Sequence, residues 1–550
     1  MKFRILFFVA VVFVSANQLP AQSFAKVNIN NVSTYVYNDG RMDISPKGNA
    51  GFEYWKGTKI YSVYSSGLYW GGYINKELRI GGTRYSSSLR PGFVNSDGSP
   101  NIPGSFSQVY RIRPDYKVAL LYGEMNDENK TEDAIRKQYA LDYENWPVHL
   151  GAPFYDTNKN GVYDNGKDIP GFLNSDQTLW FISNDMVIGN DDIYQLPFIS
   201  KQTNIELQTT VWAYAKNDFL KGVVFKKYKL INKSKRDTVK QMYVGMFSDS
   251  DLAFPGNDLN GCDTTLHLGY TYNGDDRDFD YVNKPPVMGF LLLKGAYVPG
   301  TVDDQIFVDG KRIKGKKDLL MTGFISTWPE FNYDPTPYSY NVNYSYNQLR
   351  GAIGRTGLIF PDPITKQSTN KQVAGDPVRN IGWLDNIIMP PGDRRFVIST
   401  GPFNMAPGDT QEVIFAQIVT SSTSRLGSVS YLKYLAKYVK DFYENEMFAK
   451  STTNHNETEI PTHFSLEQNY PNPFNPETTI RYTIPKSSQV TLKVYDVLGR
   501  EIATLVDEVK QPGIYNSTFS TLRSSLTSGV YFYRLQAGGF VQTKKMLLIK

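Results

Sequence analysis

The sequence predicts an all-β protein: one or two large β-sandwich-like modules with a few helices, followed by a C-terminal immunoglobulin-like β-sandwich. Three observations predict it. Near the C-terminus Ile480, Tyr482 and Ile484, then Val490, Leu492 and Val494, alternate with polar neighbours, the period-two pattern of strands with one buried face. Aromatic residues form 14% of the 550 residues, with 38 Tyr and 32 Phe against 7 Trp, beside 44 Gly and 30 Pro; this composition suits a strand-rich extracellular protein. Helical spacing of apolar residues is confined to two segments, Asp127–Tyr143 and Val429–Met447.

The elements follow in chain order. Lys2 and Arg4 precede the apolar run Ile5–Val14 and a polar stretch, the layout of a secretory signal peptide over residues 1–21. Cleavage is expected after Ala16 or Ala21. No other segment approaches the ~20 apolar residues of a spanning helix, so no transmembrane segment is expected in the mature chain. Residues 22–200 read as an N-terminal β-rich module. It holds short strands at Gly67–Gly72, Glu77–Ile80 and Thr83–Tyr85, then the first helix, with Ala134, Ile135, Tyr139 and Tyr143 on one face. Residues 201–450 read as a second module, with strands at Ile205–Tyr214, Val223–Asn232 and Met242–Phe247, and a turn and strand at Met405–Gln417. It ends in the second helix, whose Val429, Leu432, Leu435, Val439 and Phe442 form a core-facing stripe. Residues 451–460 are a polar linker, and residues 461–550 are the terminal domain. There Leu498-Gly499 and Pro512-Gly513 mark turns. Tyr470-Pro471-Asn472-Pro473-Phe474 cannot be a central strand, because proline lacks the ladder donor; it is expected to lie extended, packing Tyr470 and Phe474 onto the domain.

The net charge of +5 comes from the ends: Lys2 and Arg4, and ten Lys/Arg against six Asp/Glu in residues 461–550, which leaves the body near neutral. A neutral body has no electrostatic footprint for nucleic acid. The one cysteine, Cys262, excludes an intramolecular disulfide and is expected to be buried and inert.

Two acidic segments are candidate metal sites. Asp156, Asn158, Asn160 and Asp164 fall at positions 1, 3, 5 and 9 of a loop. Gly161 occupies position 6, Val162 offers a carbonyl at position 7, and Asp168 can close the set. Hard oxygen donors at this spacing suit calcium. The loop departs from an EF-hand, because Lys167 stands at position 12 and no helix clearly flanks it. The competing account is a solvated Asn/Gly turn. The second segment is Asp249 and Asp251 after a strand, with Asp258 and Asp263 in the following loop. It offers carboxylates for a cation but fits no defined template, and solvated loop carboxylates are the commoner arrangement.

Catalytic signatures are sparse. The four histidines, His149, His267, His455 and His463, form no HExxH, and there is no GxSxG, P-loop or dinucleotide fingerprint. Cys262 and His267, five residues apart, are weak evidence for a nucleophile–base pair. A glycosidase needs only two carboxylates, so a hydrolase stays open. Within Phe331–Tyr346, Tyr338, Tyr340, Tyr344 and Tyr346 share parity and would line one side if the segment were extended, as stacking surfaces for sugars; the alternative is an aromatic loop packed onto the body.

Three blocks of the tail, in order, carry a family resemblance: Gln468–Pro476 (QNYPNPFNP), Val494–Glu501 (VYDVLGRE), and Ser528–Arg534 (SGVYFYR) followed by Lys544–Lys550 (KKMLLIK). The tail resembles the type A C-terminal sorting domain of type IX secretion cargo. The resemblance implies passage through the periplasm, export by the type IX machinery, tail removal near the 451–460 linker, and attachment to surface lipopolysaccharide at the outer membrane. The body is similar to large uncharacterised secreted proteins with the same tail, through Val109–Asp115, Asp176–Phe181, Gly261–Thr265, Gly401–Phe403 and Pro407–Gln411. The sequence thus points to a secreted cell-surface protein with a structural, adhesive or ligand-binding role, stabilised by Ca2+. Its ligand would be an extracellular glycan or protein. The alternatives are an extracellular hydrolase acting on polysaccharide or protein, and a dedicated glycan-binding protein.

Overall fold

The structure is a computed structural model that describes residues 23–101, 106–186, 198, 200–278, 280–308, 311–328, 342–447, 463–469, 472–474, 477–521 and 526–548. The expected signal peptide, the 451–460 linker, Tyr338, Tyr340 and Tyr470 lie outside these residues. The chain divides into two compact units, Met1–Ala449 and Lys450–Lys550.

The first unit is mostly strand and is built in layers. A nine-stranded antiparallel sheet runs Asp258–Asp263, Leu268–Asn273, Pro286–Lys294, Thr410–Ser421, Val223–Asn232, Ile205–Ala213, Gln177–Asn184, Arg90–Pro91, with Tyr110–Ile112 also paired to Gln177–Asn184. A five-stranded sheet runs Gly323–Thr327, Arg395–Met405, Val239–Asp249, Ser65–Ile74, Glu77–Gly82. Their facing side chains share one core: Leu68, Trp70, Met242, Val244 and Met246 from the smaller sheet meet Leu179, Leu207, Val224, Phe290 and Phe415 from the larger. This is sheet-on-sheet packing.

Helices cover the outer faces. Arg425–Asn445 lays Val429, Leu432, Leu435, Ala436 and Val439 against Trp212, Phe225, Leu268, Leu291 and Ile414 of the larger sheet. Its start is fixed by Ser424, whose hydroxyl accepts the Gly427 amide at 3.1 Å. Val342–Leu349 packs Tyr346 and Leu349 against Tyr69, Phe247, Ile325 and Val397 of the smaller sheet. With both faces covered, central strands bury every residue, as Pro286–Lys294 does. Such strands read as apolar runs rather than alternations.

Three sequence expectations change here. The boundary at residue 200 falls inside the larger sheet, because Gln177–Asn184 pairs along its whole length with Ile205–Ala213; residues on both sides belong to one unit. The helix expected at Asp127–Tyr143 is two helices, Tyr122–Glu128 and Glu132–Glu144. Asn129 turns left-handed (φ 50°) to end the first, and the Thr131 side chain accepts the Ala134 amide to start the second. Finally, Tyr344 and Tyr346 lie on a helix, not an extended segment, and both are buried. Two residues along a helix point to different faces, so they form no common stacking surface.

A polar knot ties the two sheets together. The Lys226 side chain, from the larger sheet, donates to Asp43 Oδ2 at 3.2 Å with both side chains fully buried. Asp43 also accepts from Thr34 Oγ1 at 2.6 Å, from Gln417 Nε2 at 3.1 Å and from Ser66 Oγ. Burial pulls the Lys226 ammonium down from the usual lysine range, and Asp43 opposes that fall.

The second unit is two packed sheets of three and four strands, the first holding Glu477–Ile484 and Gly513–Ser520, the second Ser488–Tyr495, Glu501–Lys510, Gly529–Ala537 and Phe540–Leu548. Ile480, Tyr482, Ile484, Val490, Leu492 and Val494 all point into its core. Phe474 is buried there, and its amide donates to Leu547 O at 2.9 Å.

Candidate functional site

The 156–168 loop folds on itself. Asp156 accepts the Asn160 amide at 3.3 Å and the Gly161 amide at 2.7 Å. Asn158 and Asn160 side-chain amides donate to Asp164 Oδ2 at 2.6 and 2.9 Å. The Val162 amide donates to Asn160 Oδ1 at 2.8 Å. Asp168 closes the loop by accepting the Asp164 and Thr157 amides at 2.7 and 2.9 Å and the Thr157 hydroxyl at 2.8 Å. These donors hold its carboxyl below the usual carboxylate range. The loop thus gathers Asn158, Asn160 and Asp164 by their side chains. Its three aspartates do not bring carboxylate oxygens within 4.8 Å of one another, a convergence that among the described residues only Asp249, Asp251 and Asp393 make.

That second group occupies one end of the smaller sheet. Asp249 ends its strand opposite Arg395 and Ser65. Asp251 follows two residues on, and Asp258 opens the edge strand of the larger sheet. Asp393 enters from the turn before Arg395–Met405; sequence reading missed it, since it lies far along the chain and only its run into Arg394-Arg395 marks it. Arg395 bridges the group, with Nε 3.3 Å from Asp249 and Nη1 3.0 Å from Asp393. Burial pushes the Asp251 carboxyl up to about 6, with the Asp393 charge adding to it. Burial likewise raises Asp249 and Asp258 well above the usual range. Asp263 does not join them. It accepts the Thr265 and Leu266 amides in its own turn and pairs with Lys433 at 3.1 Å. It sits at the far end of the short strand Asp258–Asp263, five residues beyond Asp258.

Beside this corner is a hollow of about 460 Å³ in which Trp328, Tyr344, Phe360 and Trp383 supply aromatic walls and Ser326, Thr327, Gln348 and Gln372 polar ones. Its position follows from the sheet. Thr327, the last residue of its strand, pairs with Arg395, and the Arg394 guanidinium lies 5.8 Å from the Trp328 ring. Arg394 is itself held by Asp385 at 2.8 Å. Gly354 keeps the wall open, since a Cβ there would lie 2.5 Å from the Tyr344 ring. Trp383 is buried, and its indole Nε1 has no hydrogen-bond partner among the described residues. Sequence reading missed both tryptophans, which stand alone in loops without periodicity. Tyr346, expected to face a ligand, instead donates its hydroxyl to Gln241 O at 2.7 Å under the sheet.

Cys262 is buried, and burial pushes its thiol up, away from the reactive thiolate. His267 is lowered by burial. This is no activated nucleophile.

Residues 468–550 match the family of secretion system C-terminal sorting domains. The chain is therefore a type IX secretion cargo, carried through the periplasm and displayed at the cell surface. No curated protein matches the chain. Among solved structures, a polysaccharide lyase aligns at 8% identity and a TM-score of 0.18, over 72% of this chain and 39% of the lyase. Among the described residues no helix is long and apolar enough to cross a membrane.

Proposed function

We propose that this surface-displayed cargo binds an extracellular glycan in the hollow walled by Trp328, Tyr344, Phe360 and Trp383, without turning it over. The observation that carries the reading is the hollow itself, which sets aromatic rings beside polar side chains. A sugar's C–H face would stack on the rings while its hydroxyls meet the Ser326, Thr327, Gln348 and Gln372 side of the hollow. The volume falls in the range of small-ligand sites. After tail removal, surface lipopolysaccharide would hold the body where such glycans are met.

The test is retention of the mature chain on immobilised polysaccharides. Trp383→Ala should weaken retention at least about tenfold, equivalent to 1.4 kcal/mol. Trp383→Phe, which keeps an aromatic ring of smaller area, should fall between. Equal retention of all three proteins would remove the hollow from consideration.

The 156–168 loop fits a calcium-stabilised element in this reading. Calcium would displace the Asn158 and Asn160 amide donors from Asp164, with Asp156 and the Val162 carbonyl completing an oxygen shell. Binding only to the folded state stabilises it by ~2.7 kcal/mol at a hundredfold excess over Kd. Calcium should therefore slow amide exchange locally across residues 157–168, and Asp156→Ala with Asp164→Ala should abolish that slowing. Exchange unchanged by calcium in the wild type would mark an ordinary polar turn.

The rival is a hydrolase. What favours it is the group of carboxyls with raised proton affinity at the same end of the sheet, the kind of tuning acid–base catalysis uses.

A further inference from the structure

We infer that the basic strand Lys311–Lys314, continued by Lys316 and Lys317, and the cleft beside it form a second binding surface, one for an acidic polysaccharide bearing carboxylate or sulfate groups. This surface shares no lining residue with the glycan hollow and stands whether or not that hollow binds sugar. The run Lys311-Arg312-Ile313-Lys314-Gly315-Lys316-Lys317 places five cations in seven residues of a body that is near neutral as a whole. Short basic runs of this kind are a footprint of polyanion binding.

The fold presents these cations outward. Lys311–Lys314 pairs with Gln305–Val308 and is exposed along its whole length. Arg312 and Lys314 share one face of that strand. Gly315 turns left-handed (φ 73°) and passes the run to a second strand pair, in which Lys316 and Lys317 lie opposite Pro299 and Val298. The Gly315 amide donates to Asp304 O at 2.8 Å, and its carbonyl accepts the Gly300 amide at 2.9 Å, which fixes the turn. None of the five basic side chains makes an ion pair or hydrogen bond among the described residues. Of the acids in the same stretch, two are committed locally. Asp304 accepts the Thr301 amide and hydroxyl at 2.7 and 2.9 Å, and Asp318 accepts the Leu320 amide at 2.8 Å. Asp303 is exposed, and Asp309 lies outside the described residues.

The cleft selects among polyanions. It encloses about 640 Å³, a volume in the range of small-ligand sites. Lys316 lines it, with Nζ 5.8 Å from the centre of the Tyr297 ring, and the Tyr297 hydroxyl donates to Thr410 O at 2.9 Å, which holds that ring in place. Gln241 and Asn404 bring exposed amide side chains to the lining. Gln241 stands at a bulge with φ 50°, a device that re-aims a side chain. The one carboxylate of the lining, Asp409, accepts the Ala406 amide at 2.8 Å. Amides beside an ammonium group suit sugar hydroxyls beside a carboxylate or sulfate. A planar lipid surface does not enter a cleft. Single-stranded nucleic acid asks for several rings on which to stack its bases, whereas the aromatic residues of this lining are Tyr297 and the buried Phe403.

The test uses the mature chain, its basic tail removed, with Trp383→Ala in place so that the hollow contributes nothing. This chain should bind immobilised polygalacturonate or heparin and pass over neutral dextran. Rising salt should weaken the binding, because exposed charges are screened. Lys314→Gln, Lys316→Gln and Lys317→Gln together should weaken it at least about tenfold. The melting temperature should stay unchanged, which shows that the triple variant is folded. Lys316→Gln alone should cost more than Lys311→Gln alone, because Lys316 lines the cleft and Lys311 does not. Absence of binding to both acidic polymers, equal binding to dextran, or binding undiminished by the triple substitution would overturn the site. Tighter binding to anionic phospholipid vesicles or to DNA than to either acidic polysaccharide would overturn it as well.

Discussion

Removal of residues 461–550 should leave the body in the periplasm, with surface display lost almost completely. The tail is a compact unit with its own core of Ile480, Tyr482, Val490, Leu492, Tyr533 and Leu535, each at most 1% exposed. The core clusters described for the body hold no residue beyond Met447, so truncation removes none of their members. Loss of display would therefore report a lost address rather than a misfolded body. Fusing residues 461–550 to an unrelated periplasmic passenger should carry that passenger to the surface in a host with type IX machinery. Fractionation and surface proteolysis read both results. Normal display of the truncated chain would contradict the role assigned to the tail.

The largest effect on stability is expected at the Asp43–Lys226 knot. Asp43→Ala strands a fully buried ammonium and orphans the Thr34, Ser66 and Gln417 donors. Breaking a buried pair on one side costs about 3–5 kcal/mol. Replacing both members, as Asp43→Asn with Lys226→Met, should recover part of that loss, because no charge is then left buried and the Asn amide oxygen still accepts, at a position whose left-handed backbone (φ 66°) Asn tolerates. Urea unfolding of the three proteins measures this. A loss under about 1 kcal/mol for Asp43→Ala would place the knot's energy elsewhere.

The tail was legible because one face of each strand is solvated. Glu477–Ile484 alternates exposed or half-buried with buried residues, so Ile480, Tyr482 and Ile484 announce the inner face. In the body that signal disappears: a strand covered by a helix on one side and a sheet on the other shows no alternation, as in Pro286–Lys294. Nor does sequence show that Asp43 meets Lys226 across 183 residues, or that residues 177–184 bind the strand beyond the expected domain boundary. The acidic corner was half legible. Asp249 and Asp251 are near in sequence and do gather, but Asp258 stays outside that group, Asp263 is drawn to Lys433, and Asp393 arrives from far along the chain. Tyr344 and Tyr346 misled because parity was read for a strand in a segment that coils into a helix. Trp383 carried no signal at all; its place in a hollow is a product of tertiary structure.

The central claim is that the body binds glycan without acting on it. It is tested most directly by incubating the mature chain with a panel of extracellular polysaccharides and measuring retention and product release on the same samples. The expected result is retention that Trp383→Ala reduces, with no new reducing or unsaturated ends released. Release of new reducing ends without unsaturated ones, abolished by Asp249→Asn or Asp251→Asn, would contradict it and make the acidic corner the active site of a hydrolase.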